Sequence, residues 1–121
     1  MHVKFAPLPV FDQQRAVAFY TKCLGCKVIV DKPYKDDGWH WIELGFEGAD
    51  TTLQFERRQD DVPSAAPTLV LVDQNVDEVV EALRAQGAEI ITEPQEAPWD
   101  RGRRFAEFRD SEGNRIVIGT N

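Results

Sequence analysis

The spacing of apolar and polar residues predicts two helices and eight strands. Apolar side chains recur at helical spacing in residues 13–25 and 75–87, and each stretch ends in a glycine, Gly25 or Gly87. Asp12 precedes the first stretch and can cap its N-terminus. The remaining apolar segments alternate with a period of two, which is typical of half-buried strands. The order strand–helix–strand–strand–strand is therefore predicted twice along the chain.

The two halves read as an internal duplication. Gly25 corresponds to Gly87 at an offset of 62 residues, and Trp41 corresponds to Phe105 at an offset of 64. Residues 1–59 form the first βαβββ module and residues 66–121 the second, on either side of the linker-like stretch "DDVPSAAP". Neither half can cover its sheet alone, so we expect both modules to pack into one α+β domain spanning residues 1–121.

Two motifs connect this pattern to a known family. The first is D-x-x-x-x-x-x-F-Y-x-x-x-L-G, from Asp12 to Gly25, and the second is R-F-A-E-F-R-D-S-E-G-N-R-I at 104–116. With these motifs the chain resembles the glyoxalase, bleomycin resistance and extradiol dioxygenase superfamily. The resemblance implies the vicinal oxygen chelate fold, in which tandem βαβββ modules form a curved mixed sheet.

The resemblance also says where a metal would be held. Enzymes of the superfamily carry their ligands on the first and last strand of each module, at positions that correspond here to Phe5, Gln54, Thr68 and Val117. Phe5 and Val117 have no donor atom, and Thr68 is a poor ligand. The prediction is therefore that the protein has no metal site and no cofactor, and that the metal-dependent chemistry of its relatives is absent.

The cysteines and histidines offer no other site. Cys23 and Cys26 flank Leu24 and Gly25 at the C-terminal end of the first helix, where the helix dipole would raise a thiol pKa. They are predicted to be packing residues. His40 alternates with the neighbouring tryptophans and is expected to face away from them. The "DSEGN" stretch, residues 110–114, fits a hairpin turn better than a calcium loop.

Strand alternation predicts a cavity lined by aromatic rings and carboxylates. Rings attract flat molecules and cations, and carboxylates add charge complementarity. The expected ligand is therefore a planar or cationic organic compound. The alternative remains that the rings fill core or an interface and that the carboxylates pair with Arg103, Arg104 or Arg115. The predicted ligand-binding residues are Phe5, Trp39, Trp41, Glu43, Gln54, Glu56, Trp99, Phe105 and Glu107.

Charge and composition restrict the class of partner. With 21 acidic and 14 basic residues in 121, the net charge of −7 argues against a nucleic-acid partner. No apolar run is long enough for a membrane span and no signal peptide is visible, so a cytoplasmic protein is expected. By resemblance we expect a homodimer that binds a small molecule, in the manner of bleomycin-type antibiotic resistance proteins. Two alternatives remain: a lyase- or dioxygenase-like enzyme with a non-standard site, and a non-catalytic ligand sensor.

Overall fold

Each half of the chain forms a four-stranded mixed sheet accompanied by one helix. The computed structural model describes residues 1–121 and separates into two units, 1–60 and 61–121. The first unit contains, in order, β1 (Phe5–Val10), α1 (Gln13–Leu24), β2 (Lys27–Pro33), β3 (His40–Gly45) and β4 (Thr52–Arg57). The second contains β5 (Leu69–Val72), α2 (Val76–Ala85), β6 (Ile90–Glu96), β7 (Arg104–Arg109) and β8 (Arg115–Gly119).

The two sheets have the same topology. Strands lie in the order β1-β4-β3-β2 in the first unit and β5-β8-β7-β6 in the second. The first strand of each unit pairs in parallel with the last, and the other pairings are antiparallel. This topology confirms the predicted tandem βαβββ fold class. Neither helix is long and apolar enough to cross a membrane.

Local signals in the sequence explain where the first module's elements begin and end. The Asp12 carboxylate accepts a hydrogen bond from the Arg15 backbone N–H at 3.1 Å and so caps α1. The helix ends at Gly25, whose φ of 72° lies in the left-handed region that glycine adopts without strain. Pro7 and Pro9 lie in β1, an edge strand, where a missing backbone N–H is tolerated.

Alternation along β3 and β4 separates a buried apolar face from the face that carries the site. Ile42 and Leu44 are fully buried on β3, and Phe55 is fully buried on β4. Because successive side chains in a strand point to opposite faces, Trp41 and Glu43 lie on the other face. In the register of the two strands, Glu43 pairs with Gln54, which lies on the same face.

In the second unit, the predicted turn at residues 110–114 is confirmed. The Asp110 carboxylate accepts the backbone N–H groups of Glu112 and Asn114 at 2.8 and 2.9 Å. Gly113 has a φ of 81°, which suits the tight reversal into β8. The buried polar groups of this stretch therefore serve the turn itself.

Candidate functional site

The first unit contains a cavity of about 450 Å³ that is walled by aromatic side chains. This volume lies in the range of ordinary small-molecule sites. Five of the nine residues predicted from the sequence line it together: Phe5, Trp39, Trp41, Gln54 and Glu56.

Trp41 is the central ring of the aromatic wall. The Phe5 ring meets it edge-on, with centroids 5.7 Å apart and planes at 80°. The Tyr34 ring lies on it at 5.4 Å and 54°. Both geometries are favourable for aromatic pairs. The three rings therefore form a defined apolar surface against which a flat molecule could lie.

Glu43 holds Trp41 in place and does not line the cavity. The Trp41 Nε1–H donates to one carboxylate oxygen of Glu43 at 2.8 Å, and the Thr52 hydroxyl donates to the other at 2.8 Å. The hydrogen bond from Trp41, and to a smaller extent the one from Thr52, holds the pKa of Glu43 below its usual value. The side chain is buried, and both of its oxygens already have protein partners.

The loop between β2 and β3 contributes residues that the sequence interpretation missed. Tyr34 and Lys35 both line the cavity from this loop. Their backbone N–H groups donate to the Trp39 carbonyl at 3.1 and 3.4 Å, which closes the loop into a tight turn. An aromatic residue directly after a strand that borders the site was the available signal for Tyr34.

Arg57, another missed residue, fixes this loop against the end of β4. Its guanidinium donates to the Asp37 carboxylate at 2.8 Å and lies over the Trp39 ring, 4.6 Å from the centroid. The Asp37 carboxylate also accepts the Trp39 backbone N–H at 3.1 Å. The charge of Arg57 therefore has a partner within the protein, although the side chain lines the cavity.

Two amides add hydrogen-bonding groups to the polar part of the wall. Gln54 is buried on β4, and its Nε2–H donates to the Phe55 carbonyl at 2.7 Å. Gln59, beyond the strand, also lines the cavity and was not predicted.

The other three predicted residues lie in the second unit and do not line this cavity. The ring of Trp99 is 65% exposed and lies 4.7 Å from the Phe105 ring, centroid to centroid. Glu107 pairs with Arg115 at 2.9 Å and accepts the Thr92 hydroxyl at 2.6 Å. Burial acts to raise the pKa of Glu107, but the hydrogen bonds from Arg115 and Thr92 outweigh it and lower the pKa. The alternative that Glu107 pairs with an arginine is confirmed, and its contact with a ligand stays a prediction, as it does for the two rings.

The positions where the fold family holds a metal do not fit one. In the first unit these positions are Phe5 and Gln54. The Phe5 ring packs on Trp41 and has no donor atom, so only Gln54 could donate to a metal. Thr68 and Val117, in the second unit, add one hydroxyl. No group of three or more His, Cys, Asp or Glu side chains in the chain is arranged to hold a metal ion. This donor set is too poor for zinc, nickel or iron.

The cysteines and His40 behave as the sequence predicts. Cys26 is buried just before β2, and burial raises the pKa of its thiol to about 12. Cys23 lies in the last turn of α1, and burial raises its thiol pKa as well. The His40 imidazole contacts the Asp31 carboxylate at 2.6 Å near solvent.

Paired βαβββ modules, with an aromatic cavity in the first of them, define a protein of the vicinal oxygen chelate fold. The family model described as the Glyoxalase/Bleomycin resistance protein/Dioxygenase superfamily matches residues 2–118. The chain therefore belongs to that superfamily.

Individual relatives agree with this assignment. The chain is 26% identical to the uncharacterized protein YetH of Bacillus subtilis (strain 168) over 111 residues, which is 90% of this chain and 89% of that protein. It is 29% identical to TnmS3, an antibiotic binding protein from Streptomyces sp. CB03234, with a TM-score of 0.80 over 99% of this chain and 95% of that one. A superfamily member from Sphaerobacter thermophilus DSM 20745 superposes with a TM-score of 0.84 at 24% identity, covering 100% and 98% of the two chains.

Proposed function

We propose that this protein binds and sequesters a planar organic molecule, such as an antibiotic, in the aromatic cavity of its first module and without a metal ion. The observation that carries the proposal is the set of rings around Trp41. Five aromatic residues line one cavity of about 450 Å³: Phe5, Tyr34, Trp39, Trp41 and the buried Phe55. Flat rings stack on such a surface with about 0.5–1.5 kcal/mol per aromatic pair beyond the area they bury.

The comparison with TnmS3 supports an antibiotic as the ligand. That protein is an antibiotic binding protein, and it is similar to this chain over nearly its whole length. The poor donor set at the family's metal positions supports binding without a metal ion. We also propose that the protein works in the cytoplasm and, as the superfamily resemblance implies, that it forms a homodimer.

A thermal-shift screen of fused-ring compounds, including antibiotics, tests the proposal. A ligand present at about a hundredfold its dissociation constant adds about 2.7 kcal/mol to the free energy of unfolding. The stabilisation should fall by about 1 kcal/mol or more in Trp41→Ala, which corresponds to at least fivefold weaker binding, and should be largely kept in Trp41→Phe, since phenylalanine retains a ring. Phe11→Ala is the matched control, because Phe11 carries an exposed ring that does not line this cavity. Equal ligand-induced shifts in all four proteins would contradict the proposal.

Recovery of the ligand separates sequestration from catalysis. After incubation with excess protein and denaturation of the complex, mass spectrometry should return the compound unchanged. A product with an altered mass would instead favour the enzyme alternative.

A further inference from the structure

The unpaired charges of the cavity point to a specific chemical class of ligand. Three charged side chains line the cavity: Lys35, Glu56 and Arg57. Arg57 is bound by Asp37 and the Trp39 ring. The Lys35 ammonium lies over the Tyr34 ring, 5.5 Å from its centroid, and interacts electrostatically with the Asp37 carboxylate, but it makes no hydrogen bond. The Glu56 side chain has no hydrogen-bond or ion-pair partner. One ammonium and one carboxylate therefore remain available to a ligand.

These two charges reach the cavity from different elements. Lys35 belongs to the loop after β2, Trp41 lies on β3, and Glu56 lies on β4. Since Trp41 lies on β3, between β2 and β4 in the sheet, a ring system stacked on Trp41 can carry one substituent toward each of the two charged side chains.

The charge distribution of the chain explains why a purely cationic ligand is not favoured. The net charge of the chain is −7, but all five lysines lie in the first 60 residues, and this part of the chain contains eight basic and nine acidic side chains. Glu43, the carboxylate of this unit that was predicted to line the cavity beside Glu56, is held by partners within the protein. The first module is thus nearly neutral, and its cavity offers one charge of each sign.

We propose that the ligand is amphoteric: a flat aromatic body that carries an acidic group facing Lys35 and a protonated amine facing Glu56. The inference rests on the proposed function, because it describes a ligand of the same cavity. Each charged contact lies at the partly solvated wall, where an ion pair contributes about as much as an exposed pair with good geometry. The gain per contact is therefore severalfold in affinity.

Four naphthalene compounds, substituted at the two ends of the ring system, test the inference by calorimetric titration. The first compound carries a carboxylate and an aminomethyl group, and the second carries a carboxylate and a hydroxymethyl group. The third carries an aminomethyl and a hydroxymethyl group, and the fourth, which is neutral, carries a hydroxymethyl group at each end. Each charged end should raise the affinity about fivefold over that of the neutral compound, so the first compound should bind most tightly. This advantage should shrink as sodium chloride rises from about 0.02 to 0.5 M.

Two variants assign the charges to their partners. Lys35→Gln should weaken only the two carboxylate compounds, and Glu56→Gln only the two aminomethyl compounds, each by about fivefold. Lys22→Gln and Glu47→Gln are matched controls outside the cavity and should change none of the four affinities. All positions are exposed, so the melting temperature should verify that each variant folds.

The outcomes separate this inference from the proposed function. If the neutral compound binds and neither charge improves its affinity, or if Lys35→Gln weakens all four compounds equally, the amphoteric ligand is refuted while the aromatic cavity stands. If none of the four compounds binds, the proposed function fails, and the inference fails with it.

Discussion

Replacing Glu43 tests how the cavity holds its central ring. The carboxylate accepts the Trp41 indole N–H and the Thr52 hydroxyl, each at 2.8 Å, in a buried position. Glu43→Gln keeps one acceptor oxygen for the indole and can donate to the Thr52 hydroxyl, so only the charge assistance is lost. Glu43→Ala leaves the indole N–H without an acceptor.

The expected magnitudes follow from these contacts. A hydrogen bond to a charged group contributes about 1.5–3 kcal/mol, and a neutral one about 0.5–1.5 kcal/mol. We therefore expect Glu43→Gln to lower the free energy of unfolding by about 1 kcal/mol and Glu43→Ala by about 2–3 kcal/mol. For a chain of this size, 1 kcal/mol corresponds to about 3–5 °C in melting temperature.

Urea unfolding of the wild type and Glu43→Gln at several pH values provides the assay. The hydrogen bonds from Trp41 and Thr52 place the folded-state pKa of Glu43 below its unfolded value of about 4.3. Its contribution is therefore fully present above pH 4.3 or so and is lost as the pH falls through the folded-state pKa. The difference between the two proteins should be largest near pH 6 and should shrink toward about pH 3. A difference near zero at pH 6, or one that grows as the pH falls, would refute the reasoning.

Three further predictions concern parts of the chain outside this contact. In the native protein, Cys26 should not react with a thiol reagent at pH 8, because its pKa is raised to about 12, and it should react once urea unfolds the chain; reaction of Cys26 in the native protein would contradict its burial. Arg115→Met should cost about 1 kcal/mol in urea unfolding, because Glu107 loses its ion-pair partner and the Ala65 carbonyl loses a hydrogen bond, while removal of the buried Arg115 Nε, which has no hydrogen-bond partner, offsets part of this loss; an unchanged midpoint would contradict this prediction. Light scattering should give twice the chain mass of 13.7 kDa, and a value of 13.7 kDa at micromolar concentration would exclude the homodimer.

Strand alternation was enough to place part of the site. A period of two along β3 and β4 separates Trp41 and Gln54 from Leu44 and Leu53, and in the structure the first two line the cavity while the two leucines are buried away from it. This works because a one-residue slip would move the whole apolar set to the wrong face. The fold class followed from the repeated element order for a similar reason, since each module must bury one face of its sheet.

The rest of the site depends on contacts that a periodic pattern does not describe. Tyr34 and Lys35 lie in a turn, and the path of a turn follows from local hydrogen bonds such as those to the Trp39 carbonyl. The register of β2 against β3 also shifts between Val28 and Val30, so counting along β2 does not carry through to this loop.

Glu43 illustrates the difference between facing a cavity and being available to a ligand. Alternation places its side chain on the correct face, but Trp41 and Thr52 take both of its oxygens. Only the geometry of neighbouring side chains reveals this, and it removes one of the carboxylates on which the expectation of a planar or cationic ligand was based.

Ligand binding before and after removal of divalent ions tests the central claim most directly. The protein is dialysed against a chelator, its metal content is checked, and it is titrated calorimetrically with the naphthalene compound that carries both a carboxylate and an aminomethyl group. The cavity around Trp41 should bind this compound with the same affinity before and after chelation, and Trp41→Ala should weaken binding about fivefold or more. Binding that disappears on chelation and returns with zinc, nickel, manganese or iron would contradict the account.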